Sequence, residues 1–459
     1  MRATSWTLDA IEKNKEYATC ETILMSEDLY LGKDSLKRAF TIKAETLNQH
    51  ILILGTTGSG KTTTLYNFLD YHIKCGNAQI VIDGKGDQEF LDNVKRLAKT
   101  STQPFYFFSL TDPESLAYNP FEVGTPGELA DKLMSLTDWS EEHYKLSSQR
   151  FLQLLFRVFA QKGWVADLPL IVRYLDKKLL LELIKPKQSG KKQVVSAEEF
   201  DMFAAAGEKS AGEDNETLEL IAALESIDEA AVNGLKGRLG ILAEGDHRKL
   251  LKSGENGTLT LNEALDQRGI VLFSLDSLKY PEQARLFGKL VVADIKTQVT
   301  GHRINRPNQR VNLLFDEFNV FISPNVMDLV TKSRSAGFCI VLSMQGFSDI
   351  DRLPSGEALR RQIIQNCNTL IVHRVNDPKD ADELASMFGT QETYLITFQI
   401  NDLGATDLGS MRPEQEFKIH PNDIKGLKRG EIFIKYHNPK MRLNPLMSGL
   451  IMFLKIEVK

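Results

Sequence analysis

One octamer constrains this chain more than any other feature. GTTGSGKT, Gly55 to Thr62, sits between an apolar run and a helix-forming stretch in HILILGTTGSGKTTTLYNFLDYHI. A strand ending at Leu54, a glycine-bearing turn and a helix opening near Lys61 make a phosphate-binding loop. Gly55, Gly58 and Gly60 let backbone N–H groups converge on phosphates without Cβ clashes. The helix N-terminus adds a partial positive charge of about half a unit. In this pattern Lys61 reaches the β- and γ-phosphates and the Thr62 hydroxyl ligates Mg²⁺. The expected binding set is Gly55, Thr56, Thr57, Gly58, Ser59, Gly60, Lys61, Thr62 and Thr63, with ATP and Mg²⁺ as cofactors. No base-reading motif separates ATP from GTP.

A nucleotide loop needs a sheet behind it, and the sequence supplies one. Short, continuous apolar runs recur: HILIL at His50, QIVID at Gln79, FYFFS at Phe105, GIVLFSL at Gly269, VNLLFD at Val311, FCIVLS at Phe338 and TLIVH at Thr369. Such runs fit parallel strands covered on both faces. Helical patterns at Tyr280 to Thr300 and Pro378 to Phe388 fall between some of them, which predicts an α/β fold with a mostly parallel sheet. From about Pro126 to Gly257 the strand signal disappears. Ser140 to Gly163 reads as a helix with Leu146, Gln149, Phe151, Leu154, Leu155 and Val158 on one broad face. Glu216 to Ile227 reads as another, and KPKQSGKKQ (Lys185 to Gln193) as a basic loop. The expected organisation is a nucleotide-binding domain over 1–125 and 258–459, interrupted by an inserted all-helical domain over 126–257.

VNLLFDEF (Val311 to Phe318) is a second chemical motif, an apolar strand ending in two carboxylates. Asp316 is placed to hold the Mg²⁺ shell and Glu317 to orient or deprotonate the attacking water. Lys61 and Asp316 lie too far apart for a minimal nucleotide domain, and the insertion accounts for the excess. Gln345, just beyond FCIVLS, is placed to contact the γ-phosphate or the lytic water. Arg334, just before that strand, is placed to reach a neighbouring subunit's nucleotide, with Arg374 as a second candidate. Asp83 and Lys85 in VIDGKGDQEF fall where open α/β sheets hold ligands, although an ordinary strand-to-helix turn accounts for them equally well.

In this order, HILILGTTGSGKT, VIDGKGD, SLAYNPFE, GIVLFSLDSLKYPEQARLFGKL, VNLLFDEF, SRSAGFCIVLSMQG and QNCNTLIVHRVNDPKDADELASMFG resemble the conjugative coupling proteins. These are the TraD/TraG-like ATPases of type IV secretion, within the HerA/FtsK superfamily. GSMRPEQEFKIHPNDIKGLKRGE is similar to the TraD branch. The resemblance runs from about Tyr30 to Tyr436 and implies a RecA-like ATPase that assembles as a homo-hexamer and passes DNA through its centre. It gives Lys61 and Thr62 the phosphate-loop roles, Asp316 and Glu317 the Mg²⁺ and catalytic roles, Gln345 the sensor role and Arg334 that of the arginine finger. The implied partners are DNA, taken as single-stranded and contacted independently of sequence, a relaxase and the type IV secretion components. Inner-membrane association is also implied.

Composition limits the alternatives. The chain has 459 residues, 42% hydrophobic and 25% charged, with net charge −5. That excludes a chain coated in positive charge, though not a DNA channel lined by it. The cysteines Cys20, Cys75, Cys339 and Cys367 have no CxxC spacing, so metal ligation is not expected and a reducing cytoplasm is. No run approaches the roughly 20 apolar residues of a membrane helix. GIVLFSL and SGLIMFL (at Ser448) are strand-sized, so the expected location is cytoplasmic, with the inner face of a bacterial inner membrane as the alternative. Basic segments that could meet DNA phosphates are His302 to Arg310 and Asp246 to Lys252, each equally readable as a solvated loop. Two other functions remain open: a soluble HerA-type DNA-processing motor, and an ATP-dependent adaptor that binds secreted protein cargo.

Overall fold

The computed structural model describes residues 28–436, apart from 35, 137–138, 140, 186–216, 245, 252–256, 307–308, 323, 354 and 402–403. Most of the Lys185–Gln193 loop, Lys252, Pro307, Asn308, Cys20 and SGLIMFL lie outside the described residues. The strands, in chain order, are β1 (Leu29–Lys33), β2 (Ala39–Ile42), β3 (Ile51–Leu54), β4 (Ala78–Asp83), β5 (Phe105–Ser109), β6 (Ala117–Tyr118) and β7 (Thr258–Leu259). They continue with β8 (Ile270–Ser274), β9 (Val311–Asp316), β10 (Phe338–Met344), β11 (Thr369–Val372), β12 (Thr390–Asn401), β13 (Gly404–Phe417) and β14 (Phe433–Lys435). All seven apolar runs named from sequence are strands. The described residues form two compact units, one drawn from 28–105, 268–272 and 302–436, the other from 106–267 and 273–301.

The first unit is built on a sheet in which β14, β11, β3, β10, β9 and β4 are neighbours in that order. β11, β3, β10, β9 and β4 are mutually parallel, and only β14 runs against its neighbour. β3, β4, β9, β10 and β11 are buried at every residue. This is why they read as unbroken apolar runs rather than alternating ones. Register aligns Leu54 with Met344 and Val372, and Asp83 with Asp316. The residues that follow these strands therefore emerge along one edge of the sheet. β12 and β13 form a separate antiparallel ribbon, paired from Thr390↔Phe417 to Asn401↔Gly404.

The second unit is mainly helical, with helices at Pro126–Met134, Glu142–Gln161, Leu168–Tyr174, Lys177–Ile184, 217–225 and Glu229–Ala243. In Glu142–Gln161 the residues Phe151, Leu154, Leu155 and Val158 are buried as their spacing requires, together with Leu152, Phe156 and Phe159. Leu146 is not: it is 58% exposed, because the helix's first residues, through Leu146, lie at the surface and burial begins only at Ser148. Gln149 donates to Asp131 at the surface. This unit extends past 126–257 at both ends, for a specific reason. Lys132, on the helix Pro126–Met134, forms a buried ion pair of 2.8 Å with Asp294. Tyr118 donates its hydroxyl to the same carboxylate at 2.7 Å, and Phe108, Tyr118, Phe273 and Phe287 form an aromatic cluster.

Candidate active site

β3 ends at Leu54 and the loop Gly55–Gly60 leads into the helix Lys61–Lys74. Two glycines are required by conformation: Gly58 at φ +74 and Gly60 at φ +109. Gly55 is required by space, since a Cβ there would lie 2.5 Å from the His373 Cβ. Lys61 is buried and its Nζ donates to the Gly55 carbonyl at 2.6 Å and the Thr56 carbonyl at 3.4 Å, so the ammonium is folded back over the loop. Burial lowers its pKa, and the charges of Glu317 and Asp316 oppose that shift. Thr62 is exposed on the first helical turn and Thr63 partly so, whereas Thr64 is buried.

The helix entrance fits an anion. It has no side-chain cap and no acidic residue in its first turn. By contrast, Gln88–Ala98 and Pro378–Phe388 are capped by Asp87 and Asp377. An uncapped N-terminus presents unpaired N–H groups and the positive end of the helix dipole. The Ser59 hydroxyl is also buried without a hydrogen-bond partner. The loop residues therefore suit phosphate oxygens, with Thr62 and Asp316 available for Mg²⁺.

The acid pair stands beside the loop on the same sheet edge. Asp316 is buried, and its carboxylate accepts from the Ser343 hydroxyl at 3.1 Å and from the Glu317 N–H at 3.1 Å. Burial raises the pKa of both Asp316 and Glu317, with the neighbouring Asp316 charge adding to the shift at Glu317. Glu317 adopts the left-handed conformation, φ 53 and ψ 54, which is strained for a residue with a Cβ. Its carboxylate takes the Gln345 side-chain N–H at 3.4–3.5 Å. The structure thus brings Lys61, Asp316, Glu317 and Gln345 together.

Arg334 is elsewhere. It lies in the turn Arg334–Ala336 at the start of β10, while the loop follows the end of parallel β3. The seven-residue strand β10 spans about 23 Å, so Arg334 stands at the opposite sheet edge, where its charge acts on His50. Arg374 is on the loop's own side, and its carbonyl accepts the Thr56 N–H at 2.8 Å. Of the basic segments, His302 and His247 are buried and hydrogen-bonded to the carbonyls of Gln309 and Leu110. Neither segment is therefore simply a solvated loop.

Two residues escaped the sequence reading. His373, directly after β11, is buried under the loop. Its Nε2 lies 3.0 Å from the Thr64 hydroxyl and its Nδ1 3.2 Å from the Ser59 carbonyl. Burial pushes its pKa down to about 4, so it is neutral, and the carbonyl partner places the proton on Nδ1. Gly430, far along the chain, donates its N–H to the same Ser59 carbonyl at 2.9 Å. The only local trace of His373 was a polar residue ending TLIVH.

Two family models match. One, described as the type IV secretion-system coupling protein DNA-binding domain, covers residues 39–98. The other, described as the TraM recognition site of TraD and TraG, covers residues 310–417. Two uncharacterised proteins of Mycoplasma pneumoniae are similar over 24% of this chain. One is 32% identical over 110 residues, 72% of its length; the other is 28% identical over 132 residues, all of its length. Among solved structures, the bacterial conjugative coupling protein TrwBdeltaN70 superposes with TM-score 0.58 at 14% identity, over 87% of this chain and 86% of that one. TrwB in complex with ADP and Mg²⁺ gives 0.58 at 15% identity, over 87% and 85%. VirB4 of Thermoanaerobacter pseudethanolicus gives 0.54 at 15% identity, over 94% and 96%. These structures share the RecA-like fold. With the loop-bearing strand inside one family model and the Asp316–Glu317 pair inside the other, the chain belongs to the type IV secretion coupling proteins of the TraD/TraG kind.

Proposed function

We propose that this protein is the ATP-hydrolysing motor of a type IV secretion coupling complex, translocating DNA or nucleoprotein as a homo-hexamer. One observation carries the reading: the Gly55–Thr63 loop shares a sheet edge with the Asp316–Glu317 pair, and Gln345 holds Glu317. Backbone N–H groups of the loop and Lys61 bind the phosphates, and Thr62 and Asp316 would hold Mg²⁺. When bound, Mg²⁺ supplies positive charge to the terminal phosphate oxygens. Glu317, with a pKa raised by burial and by Asp316, is a stronger base than an ordinary carboxylate and activates water. Gln345 fixes its orientation. Arg334, at the far edge of its own sheet, serves the site of a neighbouring subunit. The two family descriptions support DNA and a TraM-type component as partners. No described helix is long and apolar enough to cross a membrane, and we place the motor at the cytoplasmic face of the inner membrane on family grounds alone.

The competing adaptor reading, with ATP as an assembly switch, has no use for a water-activating acid. The test is ATPase rate with and without single- and double-stranded DNA, for wild type, Lys61→Ala and Glu317→Gln. DNA should raise wild-type turnover, and Glu317→Gln should lose about 10²- to 10⁴-fold while still binding nucleotide. Failure of DNA to bind or stimulate the assembled protein would exclude translocation. Normal turnover in Arg334→Ala would exclude the shared site.

A further inference from the structure

The turn after β4 is built around one carboxylate. Asp83 is 1% exposed, and it accepts the N–H groups of Lys85 at 2.8 Å, Gly86 at 3.0 Å and Asp87 at 3.1 Å. Gly86, at φ 72, closes the turn. Burial raises the Asp83 pKa to about 7, against the pull of these N–H groups. Three hydrogen bonds to one side chain hold the turn in place, so Lys85 projects from a fixed base. Register sets Asp83 beside Asp316, which puts the turn on the sheet edge that carries the phosphate loop. Order along the sheet is β3, β10, β9, β4, so β4 stands about 14 Å from β3. Lys61 and Lys85 therefore flank Asp316 and Glu317 from opposite sides. The charge of Lys85 is felt by all three of these groups: it lowers the pKa of each of them.

Lys85 Nζ lies 2.6 Å from the Asp87 carboxylate, with side chains 58% and 35% exposed. An exposed pair of this kind contributes at most about 1 kcal/mol, so Lys85 exchanges partners at little cost. Asp87 has separate work, since its other oxygen caps the helix Gln88–Ala98 by accepting the Glu89 N–H at 3.0 Å. A terminal phosphate arriving between the two lysines offers Lys85 more charge than Asp87 does. A diphosphate, lacking that group, offers nothing comparable.

We propose that Lys85 is a second phosphate-binding cation of this site, one that leaves Asp87 for the terminal phosphate of a nucleoside triphosphate and so makes the site discriminate triphosphate from diphosphate. This rests on the reading of Gly55–Thr62 as the nucleotide loop. The test is equilibrium binding of a non-hydrolysable ATP analogue and of ADP, each with Mg²⁺, to the full chain. Lys85→Ala should weaken the triphosphate about tenfold and ADP less than about twofold. Lys85→Arg should retain most of the preference. Asp87→Asn keeps an oxygen for the helix cap and should tighten the triphosphate. Equal weakening of both ligands in Lys85→Ala, or no change in either, would overturn the proposal, as would triphosphate weakening in Asp87→Asn. Lys61→Ala separates the two readings. If it binds both ligands normally, the phosphate-loop reading fails; if it loses both while Lys85→Ala matches wild type, only the Lys85 assignment fails.

Discussion

Replacing His373 with alanine removes the side chain on which the phosphate loop rests. In the wild type the Nδ1–H donates to the Ser59 carbonyl and Nε2 accepts the Thr64 hydroxyl, with the side chain's Cβ against Gly55. The Ser59 carbonyl keeps its second donor, the Gly430 N–H, so it is not orphaned. The buried Thr64 hydroxyl loses its partner, at about 1–3 kcal/mol, and the void left by the ring adds a cost of order 1 kcal/mol. A total loss of roughly 2–4 kcal/mol is therefore expected from urea unfolding at pH 7. His373→Asn can restore a donor to Ser59 but not the acceptor for Thr64, and should fall between. Alanine keeps the Cβ against Gly55 but removes the imidazole that ties Ser59 to Thr64, so nucleotide affinity measured by titration should drop about tenfold in the alanine variant. A stability loss below about 0.5 kcal/mol would refute the packing argument. A full stability loss with wild-type nucleotide affinity would refute the claim that His373 positions the loop.

In the second unit, Lys132→Met strands the buried Asp294 carboxylate with only the Tyr118 hydroxyl of the contacts described above. About 3–5 kcal/mol should be lost in chemical denaturation, and a change under about 1 kcal/mol would show that the pair is dispensable. Acid should also destabilise the protein in a defined window. Burial pushes His50, His72 and His373 down to about 4, 3 and 4, so the unfolded chain takes up their protons first. Their contribution is complete above about 6.5 and is lost as pH falls toward 4. Asp83, which burial raises to about 7, takes up its proton first in the folded state and opposes this loss, so the test compares variants. Thermal unfolding midpoints should fall less steeply with acid in His72→Gln than in the wild type, and identical profiles would contradict the assignment.

The parallel strands were legible because burial on both faces leaves an unbroken apolar signature, as in ILIL at β3 and FCIVLSM at β10. The positions of the Gly55–Gly60 turn and of Asp316 were legible because each follows or ends such a strand with a chemically distinct residue pattern. Ser343 was not: within FCIVLSM it looks like one more small core residue, and only register brings its hydroxyl to Asp316. His373 was hidden for the same reason. Its partners Ser59 and Thr64 lie more than 300 positions earlier, and the pairing of β11 with β3 alone sets them side by side. Leu146 failed in the opposite direction, because helical spacing reports a face but not where along the helix a partner is present.

Glu317 shows how strain and chemistry meet at one position. A strand continuing past Asp316 would alternate, sending its next side chain to the opposite face of the sheet. Instead the chain turns at Glu317 into the left-handed region, a conformation costing of order 1 kcal/mol or more for a residue with a Cβ. Glycine would adopt it freely, yet glycine offers no carboxylate to the Gln345 amide. The turn is also tied locally, since the Glu317 N–H binds the Asp316 carboxylate and its carbonyl accepts the Val320 N–H at 3.1 Å. These bonds oppose the strain and fix two adjacent acids in different settings. Asp316 is held within the sheet by Ser343, while Glu317 is turned toward Gln345. The roles proposed above, metal binding for Asp316 and water activation for Glu317, need that difference, and a single left-handed residue supplies it.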